Sequence, residues 1–275
     1  MVNAGFRGKV ALITGATHGI GQATAVKLAA DGAIVACNHR PTSCPDEIMK
    51  MVADTGGTGF PVAADMSDPA QITAMIAETV RQAGRLDYIV SNAAINPFMT
   101  WDQTSLEAYD LLMNTNLRGT WVICTEGAKE MIREGHGGAI VTISSISAYV
   151  GAPGQTAYCG TKGGILAMSK ALARDLGKHQ IRVNCILPGC IMTNLSRDLL
   201  LSGGEALRFY EEKTPLGRIG AASEIASAVS FFLSDDASFI TSAELLIDGG
   251  FIVNAEFDGG TDVISEANVE CLSGK

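Results

Sequence analysis

The stretch KVALITGATHGIGQATAVKLAA at residues 9–30 decides the fold of this 275-residue chain. Its first six residues form an apolar run of strand length, and its last ten repeat apolar residues at helical spacing. Between them lie Gly15, Gly19 and Gly21, where glycine permits a tight turn and lets backbone N–H groups approach a pyrophosphate. The order of strand, turn and helix predicts a dinucleotide-binding unit; a plain glycine-rich turn is the alternative.

Further apolar runs of strand length alternate with helical segments along the chain. The other predicted strands are residues 33–37, 60–64, 86–91, 139–144, 181–187 and 244–248, and the most prominent predicted helices are residues 106–133, 156–178 and 223–234. Near-continuous apolar strands are typical of a parallel sheet that is buried on both faces. The pattern predicts an α/β fold: one Rossmann-type domain over residues 1–254, with about seven parallel strands, helices on both faces, and a polar tail at 255–275.

The composition of the chain limits the classes of partner that the protein is expected to bind. The net charge is −9 without a basic run, which argues against nucleic acid because phosphate binding needs clustered Lys and Arg. No apolar run reaches the length of a membrane span, and no secretory signal is visible at the start. The seven Cys and four His show neither C-x-x-C nor zinc-type spacing, so we expect reduced thiols and no metal. These features predict a cytoplasmic protein with a small-molecule partner.

The end of the second predicted strand bears on the choice of cofactor. An acidic side chain there would accept hydrogen bonds from a ribose 2′-OH, whereas a basic one accommodates a 2′-phosphate. This chain has Asn38, His39 and Arg40 there, with His18 in the glycine loop. We therefore expect NADP(H) to be favoured over NAD(H), although His39 and Arg40 could be ordinary solvated residues. Asp65, after the third strand, could bond the adenine amine or cap a nearby turn.

A second group of residues can move a proton. Tyr158 and Lys162 are four residues apart, so on a helix they share one face. A phenol titrates near pH 10, and a neighbouring ammonium stabilises the phenolate and lowers that pKa. We therefore expect the charge of Lys162, together with the positive charge of the nicotinamide ring, to lower the pKa of Tyr158 towards neutrality. Ser145 follows the fifth predicted strand, where its hydroxyl can hold a substrate oxygen beside Tyr158. Together these residues predict interconversion of an alcohol and a carbonyl.

These motifs, taken together, resemble the classical short-chain dehydrogenase/reductase family over residues 6–253. The matching pieces are TGATHGIG (14–21), Asp65, NAA (92–94), Asn116, Ser145 thirteen residues before Tyr158, YCGTK (158–162) and PGCIMT (188–193). The resemblance implies a tetrad of Asn116, Ser145, Tyr158 and Lys162. In it Tyr158 transfers the proton, Lys162 also binds the nicotinamide ribose, and Asn116 holds a water that links Lys162 to solvent. Ala94 departs from the family, which commonly has glycine there.

The glycine-loop chemistry and the resemblance together indicate the residues that contact the cofactor. They are Gly15, Thr17, His18, Gly19, Ile20, Gly21, Asn38, His39, Arg40, Asp65, Met66, Asn92, Ala93, Tyr158, Lys162, Pro188, Gly189, Ile191 and Thr193. In this set, the resemblance implies that Ile191 and Thr193 contact the nicotinamide carboxamide.

Four stretches resemble the sugar 1-dehydrogenase branch of that family, nearest to the L-rhamnose type. They are SNAAINPF (91–98), ISSISA (143–148), PLGRIG (215–220) and LLIDGGFIVN (245–254). Ala157 departs from that branch, which tends to carry His there. The candidate substrate residues are Asn96, Tyr149, Gln155, Leu195 and Leu199. Because this set mixes polar and apolar groups, a ketoreductase for bulky hydrophobic ketones remains an alternative to a sugar dehydrogenase.

Two other functions stay open on this fold. A non-catalytic nucleotide sensor or scaffold is one, although it would not need the tetrad in register. An epimerase or dehydratase that uses the same site is the other.

Residues 190–213 interrupt the strand–helix rhythm and predict a lid over the substrate, with a static insertion as the alternative. The long helices, with Ala167, Leu172 and Ala173, and the segment around 246–251 predict contacts between copies in a homotetramer, as the resemblance also implies.

Overall fold

The computed structural model describes residues 4–201 and 204–254, and the tail expected at 255–275 lies outside this part. The described residues form nine strands. These are β1 (Val10–Ile13), β2 (Ile34–His39), β3 (Thr58–Ala63), β4 (Tyr88–Ser91), β5 (Gly138–Ile143), β6 (Ile181–Pro188), β7 (Ile191–Met192), β8 (Gly220–Ala221) and β9 (Glu244–Ile247). Seven of them form one parallel sheet in the order β3-β2-β1-β4-β5-β6-β9, which confirms the predicted sheet.

Helices cover both faces of this sheet. They are α1 (Gly19–Ala30), α2 (Asp46–Asp54), α3 (Pro69–Ala83), α4 (Leu106–Leu112), α5 (Gly119–Glu134), α6 (Thr156–Leu176), α7 (Asn194–Leu201), α8 (Glu205–Lys213), α9 (Ala222–Leu233) and α10 (Phe251–Asn254). One core cluster packs α1, α2 and α9 against the sheet, and a second packs α3, α5 and α6 against the opposite face. The chain is therefore doubly wound, as expected.

The strand order reverses between β1 and β4. Strands β1 to β3 run outwards to one edge of the sheet, and β4 then pairs with β1 on its other side. In open α/β sheets the crevice beyond the carboxyl ends of the strands at such a point is where ligands bind. The glycine loop after β1 and residues 92–98 after β4 border this crevice.

The predicted helix at 106–133 is not continuous. It is divided into α4, a π-helical segment at Met113–Arg118, and α5. The wider turn carries Asn116, whose side chain is completely buried. Single π-turns inside helices occur frequently at functional sites, and one extra residue hardly disturbs the apolar spacing on which the prediction rested.

Two residues expected between copies of the chain lie elsewhere. Leu172 and Ala173 are buried in the protomer's own core, because this face of α6 packs against the sheet. Ala167 is exposed. The insertion between β6 and α9 contains α7 and α8, and its two ends are joined by parallel pairing of β7 with β8.

Within the described residues, no helix combines the length and the hydropathy that a membrane crossing requires. Nor does this part of the chain gather three or more His, Cys, Asp or Glu side chains into a potential metal site.

Candidate active site

The glycine loop after β1 has a backbone that only glycine fits well. Gly15 and Gly19 have φ of +65° and +55°, in the left-handed region that side chains disfavour. A Cβ on Gly21 would lie 2.2 Å from the Gly15 carbonyl oxygen and 2.5 Å from the Asn92 amide nitrogen. Because the start of α1 packs so closely on its own loop, a larger residue at position 21 would force the loop open.

The buried side chain of Asn38 holds the glycine loop by a hydrogen bond. Its side chain is 2% exposed, and its Oδ1 accepts a hydrogen bond from the Gly15 N–H at 3.1 Å. Its Nδ2 donates to the carbonyl oxygen of Ala64 at 3.2 Å and lies 3.4 Å from that of Val62. The amide thus joins the glycine loop to β2 and to the end of β3. A direct contact between Asn38 and the cofactor stays a prediction.

Thr14 joins the two loops at the point where the strand order reverses. Its hydroxyl oxygen accepts hydrogen bonds from the N–H groups of Asn92 at 2.9 Å and Ala93 at 3.0 Å. The Asn92 side chain donates back to the Thr14 carbonyl at 2.9 Å. Sequence reasoning singled out Asn92 and Ala93 but not Thr14, although a hydroxyl residue at a strand end before glycine was a usable signal.

The start of α1 fits an anionic group. No described side chain caps this helix, and its N-terminal residue His18 is exposed. The first N–H groups of a helix have no partner within the helix and favour negative charge. A Cβ on Gly19 would lie 3.0 Å from the Cβ of Thr193, so the segment after β6 approaches the loop closely. These features suit the pyrophosphate of a dinucleotide held between the loop and Thr193.

Arg40 and Asp65 lie at the carboxyl ends of β2 and β3. Arg40 is exposed, and the His39 Nδ1 lies 3.0 Å from the carbonyl oxygens of both Arg40 and Ser43. Asp65 uses Oδ1 to accept from the Ser67 N–H at 2.8 Å and from its hydroxyl at 2.7 Å. One oxygen of Asp65 therefore caps this turn, as the alternative interpretation expects. The contact between Asp65 and adenine remains a prediction.

The other expected cofactor residues line the remaining edges of the crevice. A Cβ on Gly189 would lie 2.7 Å from the Cα of Asp248, so glycine lets β6 end close to the segment after β9. Ile191 and Met66 are buried, at 6% and 5% exposure. Thr17 and Ile20 are partly exposed in the glycine loop and the first turn of α1.

Lys162 and Tyr158 occupy one face of α6. The Lys162 Nζ donates to the Ile143 carbonyl at 2.9 Å and lies 5.5 Å from the centre of the Tyr158 ring. Burial lowers the pKa of Lys162 to about 8. Burial also raises the pKa of Tyr158 to about 12, against a hydrogen bond with Ser145 that lowers it. The expected lowering of the Tyr158 pKa is not found here, because desolvation outweighs the hydrogen bond with Ser145. The contribution expected from the charge of the nicotinamide ring stays a prediction.

The turn after β5 distinguishes the three neighbouring serines. Ser144 is buried and donates to the Lys162 carbonyl at 2.8 Å, so its hydroxyl has a structural partner. Ser145 accepts from the Ser147 N–H at 3.1 Å and donates to the Ser147 hydroxyl at 3.2 Å. Ser147 in turn donates to the Gln155 Oε1 at 3.5 Å. The Ser145 proton thus points along a polar chain that leads towards Gln155.

The Asn116 side chain forms its bonds within the protein. Its Oδ1 accepts from the Ile95 N–H and its Nδ2 donates to the Ile95 carbonyl, both at 2.9 Å. Its backbone carbonyl accepts from the Thr120 hydroxyl at 2.7 Å. The implied water-holding role stays a prediction.

The candidate substrate residues are not all brought together. Asn96, Gln155 and Tyr158 line one small cavity with Phe98. The Tyr149 hydroxyl instead bonds the carboxylate of Glu244 on β9, a bond that raises the pKa of Tyr149 to about 12. This placement argues against a direct substrate contact for Tyr149. The side chains of Leu195 and Leu199 fall outside the described part of the chain.

A larger cavity, of about 550 Å³, lies along the outer side of α1 between α2, α7 and α9. It reaches the site only at Gly19 and Thr193. Its remaining lining residues carry none of the chemistry described above, so the crevice between the strand ends is the better candidate for the active site.

Comparison with known proteins identifies the family. The family model for enoyl-(acyl carrier protein) reductase matches residues 15–252. The L-rhamnose 1-dehydrogenase (NAD(P)(+)) of Sphingomonas sp. (strain SKA58) is 39% identical over 250 residues, which is 90% of this chain and 98% of the relative. The L-rhamnose 1-dehydrogenase (NADP(+)) of Thermoplasma acidophilum is 34% identical over 252 residues, 91% of this chain and 99% of that one.

Solved structures share the fold. A putative 2-deoxy-D-gluconate 3-dehydrogenase from Agrobacterium tumefaciens, solved with bound NADP, has a TM-score of 0.84 and 32% identity, and the match covers 91% of this chain and 99% of that one. A short-chain dehydrogenase/reductase from Mycobacterium marinum has a TM-score of 0.85 and 32% identity, covering 90% and 96%. Fold, site and relatives together show that the chain belongs to the short-chain dehydrogenase/reductase family, as a nicotinamide-dependent oxidoreductase that acts on CH–OH groups.

Proposed function

We propose that this enzyme is a sugar 1-dehydrogenase of the L-rhamnose type that prefers NADP(H). The observation that carries the proposal is that two amide side chains, Asn96 and Gln155, line a small and otherwise largely apolar cavity together with Tyr158. A sugar pocket needs such groups because each buried hydroxyl requires a hydrogen-bonding partner. Relatives that are 34% to 39% identical to this chain carry the same activity in their names.

The reaction divides between a hydride and a proton. The glycine loop after β1 and the segment after β6 would hold the cofactor, whose oxidised nicotinamide would supply the acceptor for the hydride that leaves the sugar C1. The Tyr158 phenolate takes the proton from the C1 hydroxyl, so the hemiacetal becomes a lactone and the charges balance. Burial opposes this phenolate, and the charge of Lys162 together with the positive charge of a bound nicotinamide ring would have to offset that cost. Ser145 donates a hydrogen bond to the reacting oxygen. Lys162, positive below its pKa of about 8, stabilises the phenolate through charge.

The basic side chains at the end of β2 support the preference for NADP(H). Arg40 is exposed there and His39 adjoins it, with no acidic side chain in the turn that follows until Asp46. A guanidinium can bind a 2′-phosphate with two parallel hydrogen bonds. His18, exposed at the start of α1, adds another potential donor on the same side of the crevice.

Residues 190–213 form the proposed lid. The β7–β8 pairing ties the two ends of the insertion together at its base. The ring of Phe251 lies 6.3 Å from that of Phe209 and 5.4 Å from that of Tyr210, which joins α8 to α10. The lid would move as one unit against this aromatic contact and exclude water from the substrate.

We further propose a homotetramer located in the cytoplasm. Large apolar side chains on α4 and α5 are exposed, among them Leu106 at 77% and Trp121 at 51%. At the β9 edge of the sheet, Leu246 is 36% exposed. Such surfaces are typical of contacts between copies related by twofold axes. Sedimentation at micromolar concentration tests the assembly, and a monomer would contradict it.

A substrate screen tests the proposed function. Aldoses including L-rhamnose, polyols and bulky ketones are assayed with NADP(H) and NAD(H), with Tyr158→Phe as the inactive control. We expect the highest kcat/KM for an aldose with NADP⁺. Activity confined to bulky ketones would favour the ketoreductase alternative. Cofactor binding without turnover would favour a scaffold, and cofactor-retaining isomerisation or water loss would favour an epimerase or dehydratase.

A further inference from the structure

We propose that Asn96 forms a subsite for one substrate hydroxyl. This hydroxyl, which donates a hydrogen bond, is the one on the carbon next to the carbon that is oxidised. The Asn96 Oδ1 accepts this hydrogen bond and so selects substrates with a vicinal diol arrangement. The inference rests on the proposed function for the identity of the sugar, and it adds which hydroxyl the protein recognises and which atom recognises it.

A buried acceptor without a partner carries the inference. Within the described residues, three buried side-chain polar atoms have no hydrogen-bond partner: Thr24 Oγ1, Asn96 Oδ1 and Glu134 Oε1. The other Glu134 oxygen is bonded to His136 at 2.6 Å, and Thr24 lies buried in α1. Only Asn96 lies in the cavity beside Tyr158. An unpartnered buried acceptor is costly, so its persistence at a reacting centre points to a ligand that completes it.

The backbone holds Asn96 in place on both sides. On one side, the Asn116 amide bonds both the N–H and the carbonyl of Ile95 at 2.9 Å. On the other, Phe98 has φ +48°, a conformation that non-glycine residues rarely adopt. Backbone strain of this kind collects at functional sites, where the surrounding contacts maintain it. The backbone on either side of Asn96 is therefore held, which sets the point from which its side chain reaches the cavity.

The chemistry of the atom restricts the ligand. An amide oxygen accepts hydrogen bonds and does not donate them, so its partner must be a donor. A carboxylate or phosphate would be repelled, and a hydrocarbon would leave the oxygen unsatisfied. Asn96 and Tyr158 line the same cavity, whose volume of about 10 Å³ admits about one hydroxyl-sized group, and this places the donor beside the reacting centre in the proposal. The hydroxyl at C2 of an aldose meets both conditions.

The test compares L-rhamnose with 2-deoxy-L-rhamnose in wild type, Asn96→Leu and Asn96→Asp. In wild type we expect kcat/KM to fall about 10-fold to 100-fold when the C2 hydroxyl is removed. In Asn96→Leu the two sugars should differ by less than about 3-fold, because no acceptor remains. Asn96→Asp keeps an acceptor oxygen and should keep discrimination. Thr24→Val, which removes a buried unpartnered hydroxyl elsewhere, should leave the ratio as in wild type.

Several outcomes would overturn the subsite. Equal kcat/KM for the two sugars in wild type is one, and it requires no variant to fold. The same ratio in wild type and Asn96→Leu is another, provided that both bind NADPH equally. If wild type oxidises neither sugar, the proposed function fails while the subsite stays testable. The comparison is then trans-cyclohexane-1,2-diol against cyclohexanol, and an Asn96-independent ratio there would refute the subsite.

Discussion

Asn116 holds Ile95 by both polar groups of its backbone, accepting from the N–H and donating to the carbonyl at 2.9 Å each. One buried amide thus provides hydrogen-bond partners for both backbone groups of Ile95. This residue lies in the loop after β4 and has no partner strand. The contact links the π-helical turn to the segment that carries Asn96. A residue of the expected catalytic tetrad therefore has a structural task that is distinct from proton transfer.

Removing this amide should cost both stability and substrate affinity. Asn116→Leu leaves the Ile95 N–H and carbonyl without partners, so we expect the free energy of unfolding to fall by about 2 kcal/mol or more. The KM for the sugar should rise because the loop after β4, which carries Asn96, is no longer held in place. Urea unfolding and steady-state kinetics measure the two effects. The comparison variant is Thr161→Val, which removes a 3.4 Å contact to the same amide and the 2.7 Å bond from the Thr161 hydroxyl to the Tyr158 carbonyl, but leaves Ile95 bonded. An equal loss in both variants would contradict this role.

Tyr158→Phe should abolish turnover and leave cofactor binding nearly intact. Only the transferable proton is lost, and general acid–base catalysis typically contributes 10²–10⁴-fold. Stopped-flow or steady-state rates and fluorescence titration with NADPH give the two readouts. Tyr149→Phe is the matched control, since its hydroxyl bonds Glu244 at the sheet edge, and it should retain activity. Tyr158→Phe activity within tenfold of wild type would rule out the mechanism.

Lys162 should reduce stability at neutral pH. Its folded pKa of about 8 lies below the ordinary 10.5, so the buried charge costs stability fully below pH 8. The cost fades as pH rises from 8 to 10.5, where the unfolded chain still binds the proton and the folded one does not. The free energy of unfolding of Lys162→Met should therefore exceed that of wild type by about 1–2 kcal/mol at pH 7. This figure already allows for the loss of the hydrogen bond to Ile143.

The measurement is urea unfolding of both proteins at pH 7 and pH 9.5, at one fixed protein concentration. The gain of Lys162→Met should be smaller at pH 9.5, while its catalytic activity is low at both values. A difference in stability that stays constant between the two pH values would show that the charge of Lys162 is not the cause.

Arg40→Asp should reverse the cofactor preference. The change removes an exposed guanidinium at the end of β2 and supplies a carboxylate that repels a 2′-phosphate and accepts from a 2′-OH. We expect the ratio of kcat/KM for NADP⁺ over NAD⁺ to fall at least about tenfold. Arg174→Asp makes the same change of net charge on exposed α6 surface and should leave the ratio unchanged. A wild-type preference for NAD⁺ would show that the end of β2 was misinterpreted.

Closure of the lid should appear in hydrogen exchange. With NADPH and sugar bound, amide protection in α7 and α8 should rise more than in the central strands. Phe251→Ala removes the aromatic contact with Phe209 and Tyr210, and it should speed exchange in α8 before ligand is added. Equal protection with and without ligand would identify the insertion as static.

The parts that sequence could predict are those that depend on local pattern. Most strand bounds agree within about two residues, because β1 and its neighbours are apolar on both faces. Glycine spacing and the four-residue step from Tyr158 to Lys162 likewise act within one turn or helix.

What escaped prediction depends on partners distant along the chain. The side chain of Asn38 is placed by β3, and Tyr149 turns to Glu244, which lies 95 residues further along the chain. Adjacency also showed that Lys162 neighbours Tyr158, but not that both would be buried. Desolvation is set by the assembled core, so its effect on the two pKa values could not be inferred from spacing.

The buried amide of Asn38 limits how this protein could exchange one cofactor for the other in evolution or in engineering. A carboxylate at position 38 would face the carbonyl oxygens of Val62 and Ala64, where the amide now donates, and it would bring an unpaired charge into the interior. A carboxylate at position 38 is therefore disfavoured by folding, whichever nicotinamide cofactor the enzyme uses. The exposed Arg40 and the half-buried His39 at the end of β2 can change without this cost.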